Sequence, residues 1–192
     1  LHVDLGLDLV KTINPALMTP AAWILEENDI DNWRPTIPAS AAKWDRGHVG
    51  IIGGGGAATL AAHGAFRGGA GLVTLFAPKS MWKTFHGLWP EVILAEPESM
   101  DPNRHDVIVV GPGLGTTDVD TVCDLWSTYP GAVVADADAI NILAAASAHA
   151  STQFPRLLTP HTAEAARLLG TTRAQVENNR MAAISALGQM AT

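Results

Sequence analysis

The chain has 192 residues, is 47% hydrophobic, carries a formal net charge of -7 and contains one cysteine, Cys123. That apolar content supports a sizeable core and excludes a disordered chain, while the acidity excludes a nucleic-acid or anionic-membrane surface. A lone cysteine excludes a disulfide framework and a cysteine-based zinc site, and it fits a cytoplasmic setting.

The opening LHVDLGLDLV alternates as a short strand, which Asn14-Pro15 and Thr19-Pro20 end. Residues 18–42 hold Pro20, Pro35 and Pro38 among scattered charges and read as a linker with one short helix. Val49-Gly50-Ile51-Ile52 is a strand, Gly53 to Gly56 a turn, and the alanine-rich run Ala57 to Arg67 a helix. Leu72 to Ala77 is the next strand, completing a unit of the length a right-handed crossover needs. Lys79 to Trp89 reads as an amphipathic helix and Val92 to Ala95 as a short strand. Val107 to Val110 is a strand and Asp118 to Thr128 a helix, with Thr117 and Asp120 as a variant capping box. Ala132 to Ala135 is a strand, followed by a helix through Asn141 to Ala146. Arg156 to Thr159 is another strand, and a helix from Thr162 to Leu169 stops at Gly170 in the left-handed conformation. Thr172, with Gln175 three residues on, starts one more helix. No apolar run approaches the ~20 residues of a membrane span. Short apolar strands alternating with helices predict an α/β fold: an open, doubly wound, mostly parallel sheet with helices on both faces.

Ligands of such sheets bind outside the carboxyl ends of the strands. Gly53 to Gly56 with Ala57 follow the first strand, and Gly111, Gly113 and Gly115 follow the Val107 strand. Asp136, Asp138 and Asn141 follow the Val133 strand, and His161, Thr162 and Glu164 the Leu157 strand. The first glycine run lacks the Lys-Ser/Thr of a Walker A loop and the last glycine of the dinucleotide fingerprint. It is either a tight turn or a loop that approaches a ligand. Gly111-Pro112-Gly113-Leu114-Gly115 is rigid and favours a ligand role. Asp136 and Asp138 suit helix capping and ligand contact equally. His161 lies between Pro160 and Thr162, off any apolar face, and favours a ligand role. Glu164 reads as a charge placed for the helix dipole. His2, His48, His63, His86, His105 and His149 lack metal-ligand spacing, and no G-x-S-x-G elbow occurs. Cys123 reads as a small buried hydrophobe, Trp126 as core and Trp44 as a loop residue, and the six tryptophans show no stacking pattern.

The blocks KWDRGHVGIIGGGG, FRGGAGLVTL, DVIVVGPGLG, VVADADAIN and LLTPHTAEAARLLG occur in this order. Together they resemble the ADP/ATP-dependent NAD(P)H-hydrate dehydratases, members of the ribokinase-like superfamily, from about Lys43 onward. LHVDLGLD resembles the last strand of the epimerase domain often fused in front of them. The resemblance implies residues 1–17 as the end of that preceding domain or an N-terminal extension, 18–42 as the linker, and 43–192 as the N-terminal portion of the dehydratase domain. It implies a repair reaction in a cytoplasmic homo-oligomer, in which ADP or ATP with Mg2+ drives loss of a hydroxyl from NAD(P)H hydrate as phosphate. By motif match, Ala57, Gly113 and His161 lie against the hydrated dinucleotide. Gly55, Gly56, Gly111, Gly115, Asp138 and Asn141 then shape the pocket. No protein metal ligand, nucleic acid or membrane is implied.

Two departures qualify the match. The family's first loop holds a further stretch of small residues where Gly53 to Gly56 here run straight into Ala57. The family's Lys-Gly strand end and GTGD-type loop, which bind nucleotide and supply the catalytic aspartate, do not occur before Thr192. No catalytic residue is therefore assigned, and the chain is expected to be a domain incomplete at its C-terminus, part of something longer. Two other readings stay open: a ribokinase-fold small-molecule kinase, and a non-catalytic dinucleotide-binding fragment.

Overall fold

Six apolar runs of three to five residues pair in parallel: β1 (His48–Ile52), β2 (Leu72–Phe76), β3 (Ile93–Ala95), β4 (Val107–Val110), β5 (Ala132–Ala135) and β6 (Arg156–Leu158). The computed structural model describes residues 26–33, 36–115, 118–148 and 153–191. The strand expected at the start of the chain and the Thr117 cap lie outside them. One compact unit ends at Thr36 and contains α1 (Glu27–Trp33); the second begins at Ile37 and contains the sheet.

The strand order is β3-β2-β1-β4-β5-β6. The chain winds outward from β1 to β3, then crosses to β4 and winds the other way. Right-handed crossovers in opposite directions place their helices on opposite faces. Side chains alternate along each strand to fill both. Ile51, Val73 and Leu75 pack with Ala58 and Ala62 of α2 (Gly55–Arg67). Ile52, Ile108, Val110 and Val133 pack with Val122 and Trp126 of α3 (Val119–Thr128), Ile140 and Leu143 of α4 (Ala137–Ala146) and Leu168 of α5 (Thr162–Leu168). Each fully buried aliphatic side chain contributes about 1.5–3 kcal/mol by leaving water. The register aligns Ile52 with both Phe76 and Val110, so the loops after β1 and β4 leave the sheet side by side.

Three expectations are corrected. The helix expected over Lys79 to Trp89 is a 3-10 helix of Lys79–Thr84 alone, closed by Phe85, with Gly87 at φ +73° beyond it. Met81 and Trp82 turn onto the α2 core, and Trp82 donates its indole N–H to the Ala77 carbonyl, which a continuing α-helix would not allow. The helix through Asn141 begins earlier, at Ala137, whose φ of +45° turns the chain sharply out of β5. The last helix is two, α6 (Arg173–Asn178) and α7 (Arg180–Met190), because the Asn179 side chain accepts from the Ala182 amide and starts a new N-terminus. Thr172 and Gln175 form the expected capping box, and Gly170 takes the expected left-handed conformation (φ +60°). One tryptophan stacks on a histidine: the His63 ring lies 4.3 Å from Trp89.

Where the strands begin, His48 stands 4.2 Å from His105, with its Nε2 2.8 Å from Thr74 Oγ1. Burial, helped by the His105 ring and the Arg104 charge, holds the His48 imidazole below its ordinary range against the opposing Arg104 backbone hydrogen bond and Asp106 charge. The unfolded chain therefore binds this proton first. Stability is complete above about pH 6.5 and falls as pH drops toward the folded-state value. Thermal melts from neutral to mildly acid pH are expected to show a decline that His48→Gln flattens. An identical decline in that variant would assign it to other groups.

Candidate functional site

The loops after β1 and β4 flank the point where the winding direction reverses, the usual ligand crevice of such sheets. Here they touch. The Gly54 amide donates to the Pro112 carbonyl at 2.9 Å, and a Cβ on Gly113 would stand 2.4 Å from the Gly54 oxygen. Gly111, at φ +114°, would place a Cβ 1.9 Å from the Asp136 carbonyl oxygen. These glycines exist for backbone-on-backbone packing. Gly55, Gly56 and Gly115 differ, since a Cβ on any of them would meet nothing within 4 Å. Gly55 and Gly56 open α2, where the first helical amides lack intrahelical partners, with Ala57 exposed beside them, and Gly115 is exposed at the far end of the β4 loop.

The carboxylates of this rim all accept from protein donors. Asp138 Oδ2 takes the Gly115 amide at 2.8 Å and shapes the end of the glycine loop. Asp136 begins α4 without capping it; its Oδ1 accepts the Thr159 hydroxyl at 2.7 Å and ties the ends of β5 and β6 together. Glu164 is buried, with Oε2 accepting the His161 amide at 2.8 Å. His161 completes a capping box by accepting the Ala163 and Glu164 amides on Nδ1. That pattern assigns the ring proton to Nε2, which lies 3.2 Å from Glu164 Oε1. The His161 side chain is nonetheless 65% exposed. Glu164 thus sits at the helix N-terminus as expected, but in the core.

Asn141 is engaged elsewhere. Its Oδ1 accepts from Arg167 at 2.9 Å and bridges α4 to α5. The structure therefore brings Gly55, Gly56 and Ala57 beside Gly111, Gly113, Gly115 and Asp138. His161 stands two strands beyond the β4 loop on the same rim, about 10 Å at ordinary strand spacing, and three beyond the β1 loop, about 14 Å. Thr159 and Arg167 had no signal in the sequence, since a strand-end threonine and a helix arginine are common surface residues. Among the described residues no group of three or more His, Cys, Asp or Glu is placed to hold a metal ion. The open glycine amides fit a phosphate-bearing ligand, because helix N-termini and free amides stabilise anions.

A parallel sheet in this order, with glycine loops at its reversal point, defines an open, doubly wound α/β fold. It superposes on an ADP/ATP-dependent NAD(P)H-hydrate dehydratase from Bacillus subtilis, co-crystallised with ATP and Mg2+, with TM-score 0.67 at 24% identity, over 81% of this chain and 58% of that one. The sequence profile of the NAD(P)H-hydrate dehydratase family matches residues 49–192, and the chain belongs to that family. It is 39% identical over 174 residues to the ADP-dependent (S)-NAD(P)H-hydrate dehydratase of Neisseria meningitidis, covering 77% of this chain and 56% of that protein. It is 35% identical over 204 residues to the bifunctional NAD(P)H-hydrate repair enzyme Nnr of Moorella thermoacetica, covering 93% of this chain and 37% of that protein. The chain thus spans between about a third and a little over half of the length of these two relatives.

Proposed function

We propose that this chain forms the substrate side of a site for ADP- or ATP-dependent dehydration of NAD(P)H hydrate to NAD(P)H. The observation that carries the reading is the rim itself. The first amides of α2, at Gly55 and Gly56, suit a pyrophosphate, and the exposed His161 imidazole suits a second part of the same ligand. The three strand spacings from β1 to β6, about 14 Å, need a ligand as long as a dinucleotide. ADP or ATP with Mg2+, when bound, supplies the phosphoryl group that turns the hydroxyl into a leaving group. The chain's own residues bind and orient. Such transfers depend on positioning and charge stabilisation more than on a protein nucleophile. Because Asp136, Asp138 and Glu164 are committed to protein donors, none of them is assigned as the base. The Moorella relative's bifunctional character supports an epimerase-like domain ending near residue 17 and joined through 18–42. The cytoplasm and a homo-oligomer complete the proposal.

The test is calorimetric titration with hydrated NADH, then a turnover assay with ADP and Mg2+ that follows recovery of NADH absorbance. Binding with turnover supports the dehydratase. Binding without turnover favours the second reading, a non-catalytic dinucleotide-binding domain, to which the committed carboxylates point. Phosphorylation of a small alcohol without binding of hydrated NADH would overturn both. Gly56→Ala sharpens the test. It enters open space at the start of α2 and is expected to preserve stability or raise it by up to about 1 kcal/mol, read as an unchanged or higher melting temperature. The same variant should weaken hydrated-NADH binding by about tenfold or more. Unchanged affinity would remove Gly56 from the site.

A further inference from the structure

We propose a second ligand site at the opposite end of the sheet, where the strands begin, that takes a planar aromatic anion of mononucleotide size. It is a cavity of about 450 Å3 lined by Lys43, Trp44, His48, Leu72, Ile93 and Arg104. The five residues of β1 separate it from the glycine loops, about 16 Å at strand rise.

Trp44 is the first argument. It is 64% exposed, on a 3-10 helix (Lys43–Arg46) that buries none of its side chains, so it contributes little to the core. Yet its turn is firmly held. Gly71 comes so near that a Cβ there would lie 1.7 Å from the Lys43 carbonyl oxygen. The Gly71 and Leu72 amides both donate to the Gly47 carbonyl, at 3.1 and 3.2 Å. The Ala42 amide donates to Asp45 Oδ2 at 2.8 Å. A rigidly presented, exposed indole loses little entropy on binding. Leu72 and the 46% exposed Ile93 extend its apolar surface.

Charge is the second argument. The chain is acidic overall, with a net charge of -7, yet this cavity gathers Lys43 and Arg104. Its carboxylate, Asp106, accepts the His48 amide at 2.7 Å. Lys43 Nζ stands 4.4 Å from the centre of the Trp44 ring, so cation and aromatic face are offered together. A flat ring would stack on the indole while its attached anion met Lys43 and Arg104. A purely apolar ligand would instead cover two cations without partners, which is costly. The volume falls in the lower range of small-molecule sites.

AMP is a suitable probe, read by 19F NMR on protein labelled with 5-fluorotryptophan, the Trp44 line being identified by its loss in Trp44→Phe. AMP should shift that line saturably, and adenosine and inorganic phosphate should each bind about tenfold more weakly. Lys43→Ala combined with Arg104→Ala should weaken AMP by about tenfold or more, with an unchanged melting temperature because both residues are exposed. A Trp44 line unmoved by millimolar AMP, moved equally by adenosine, or saturating at the same AMP concentration in the double variant would overturn the proposal. Gly56→Ala should leave the Trp44 response intact, so the two sites succeed or fail separately.

Discussion

Gly111→Ala is expected to abolish soluble, folded protein or to lower the melting temperature by at least ~10 °C, at a cost of roughly 4 kcal/mol or more. Two independent costs add. The backbone at φ +114° disfavours any side chain, and the new Cβ would sit 1.9 Å from the Asp136 carbonyl oxygen and 2.7 Å from the Ala139 Cβ. The obstructing atoms belong to the turn into α4, which cannot swing aside as a flexible side chain could. That turn is already strained, since Ala137 has a φ of +45°. A loss of this size consumes much of a typical 5–15 kcal/mol stability. Circular-dichroism melts of Gly111→Ala beside Gly56→Ala make the measurement: one glycine is required by packing, the other faces open space. A Gly111→Ala protein melting within a few degrees of the parent would mean that the β4 and β5 loops do not interlock.

Arg156→Leu is expected to cost about 3–5 kcal/mol, although Arg156 is remote from both proposed sites. Arginine is seldom buried, yet this one is only 8% exposed at the start of an edge strand. Among the described residues its guanidinium donates to five main-chain carbonyls. Nη1 reaches Gly131 and Pro155, both at 2.9 Å. Nη2 reaches Tyr129 at 2.6 Å and Leu125 at 3.3 Å, and Nε reaches Trp126 at 2.5 Å. Trp126, Tyr129 and Gly131 lie at the C-terminal end of α3 and in the turn into β5, where helical carbonyls run out of partners, while Leu125 and Pro155 also accept the Tyr129 and Val133 amides. The Trp126 and Phe154 rings stand 5.9 and 5.5 Å from the guanidinium carbon. Burial disfavours its charge and lowers its pKa from the usual value, but a guanidinium stays protonated and its planar fork can span acceptors in several directions. Leucine would fill the volume and leave buried carbonyls unpaired. Arg156→Lys has its donors on one nitrogen and should recover less than half of the loss. Chemical denaturation of the three proteins makes the comparison, and near-equal midpoints would show that water replaces the guanidinium freely.

Most of the fold was legible in the sequence. Runs such as Val107-Ile108-Val109-Val110, bounded by charge on one side and glycine on the other, admit little but a strand buried on both faces, and the helical intervals fix its parallel sense. Lys79 to Trp89 misled because its apolar spacing suits a helix in isolation. In the fold, Met81 and Trp82 are drawn onto the α2 face and the chain turns at Gly87. At the rim, residue types were visible and their partners were not. Asp136, Asp138 and Glu164 look alike in sequence; one holds a threonine, one a glycine amide and one a histidine cap.

The sequence by itself determined the α/β alternation, the family and the rim on which glycines, carboxylates and His161 gather, because these follow from local periodicity and short motifs. Only the tertiary structure decided which glycines are packed shut and which amides are open. It also decided that Asp138 belongs to Gly115, 23 positions away, and that Arg156 closes a helix rather than facing water. The physical reason is strand register: a local pattern specifies each strand and turn, but which backbone lies against which is settled only when distant strands pair.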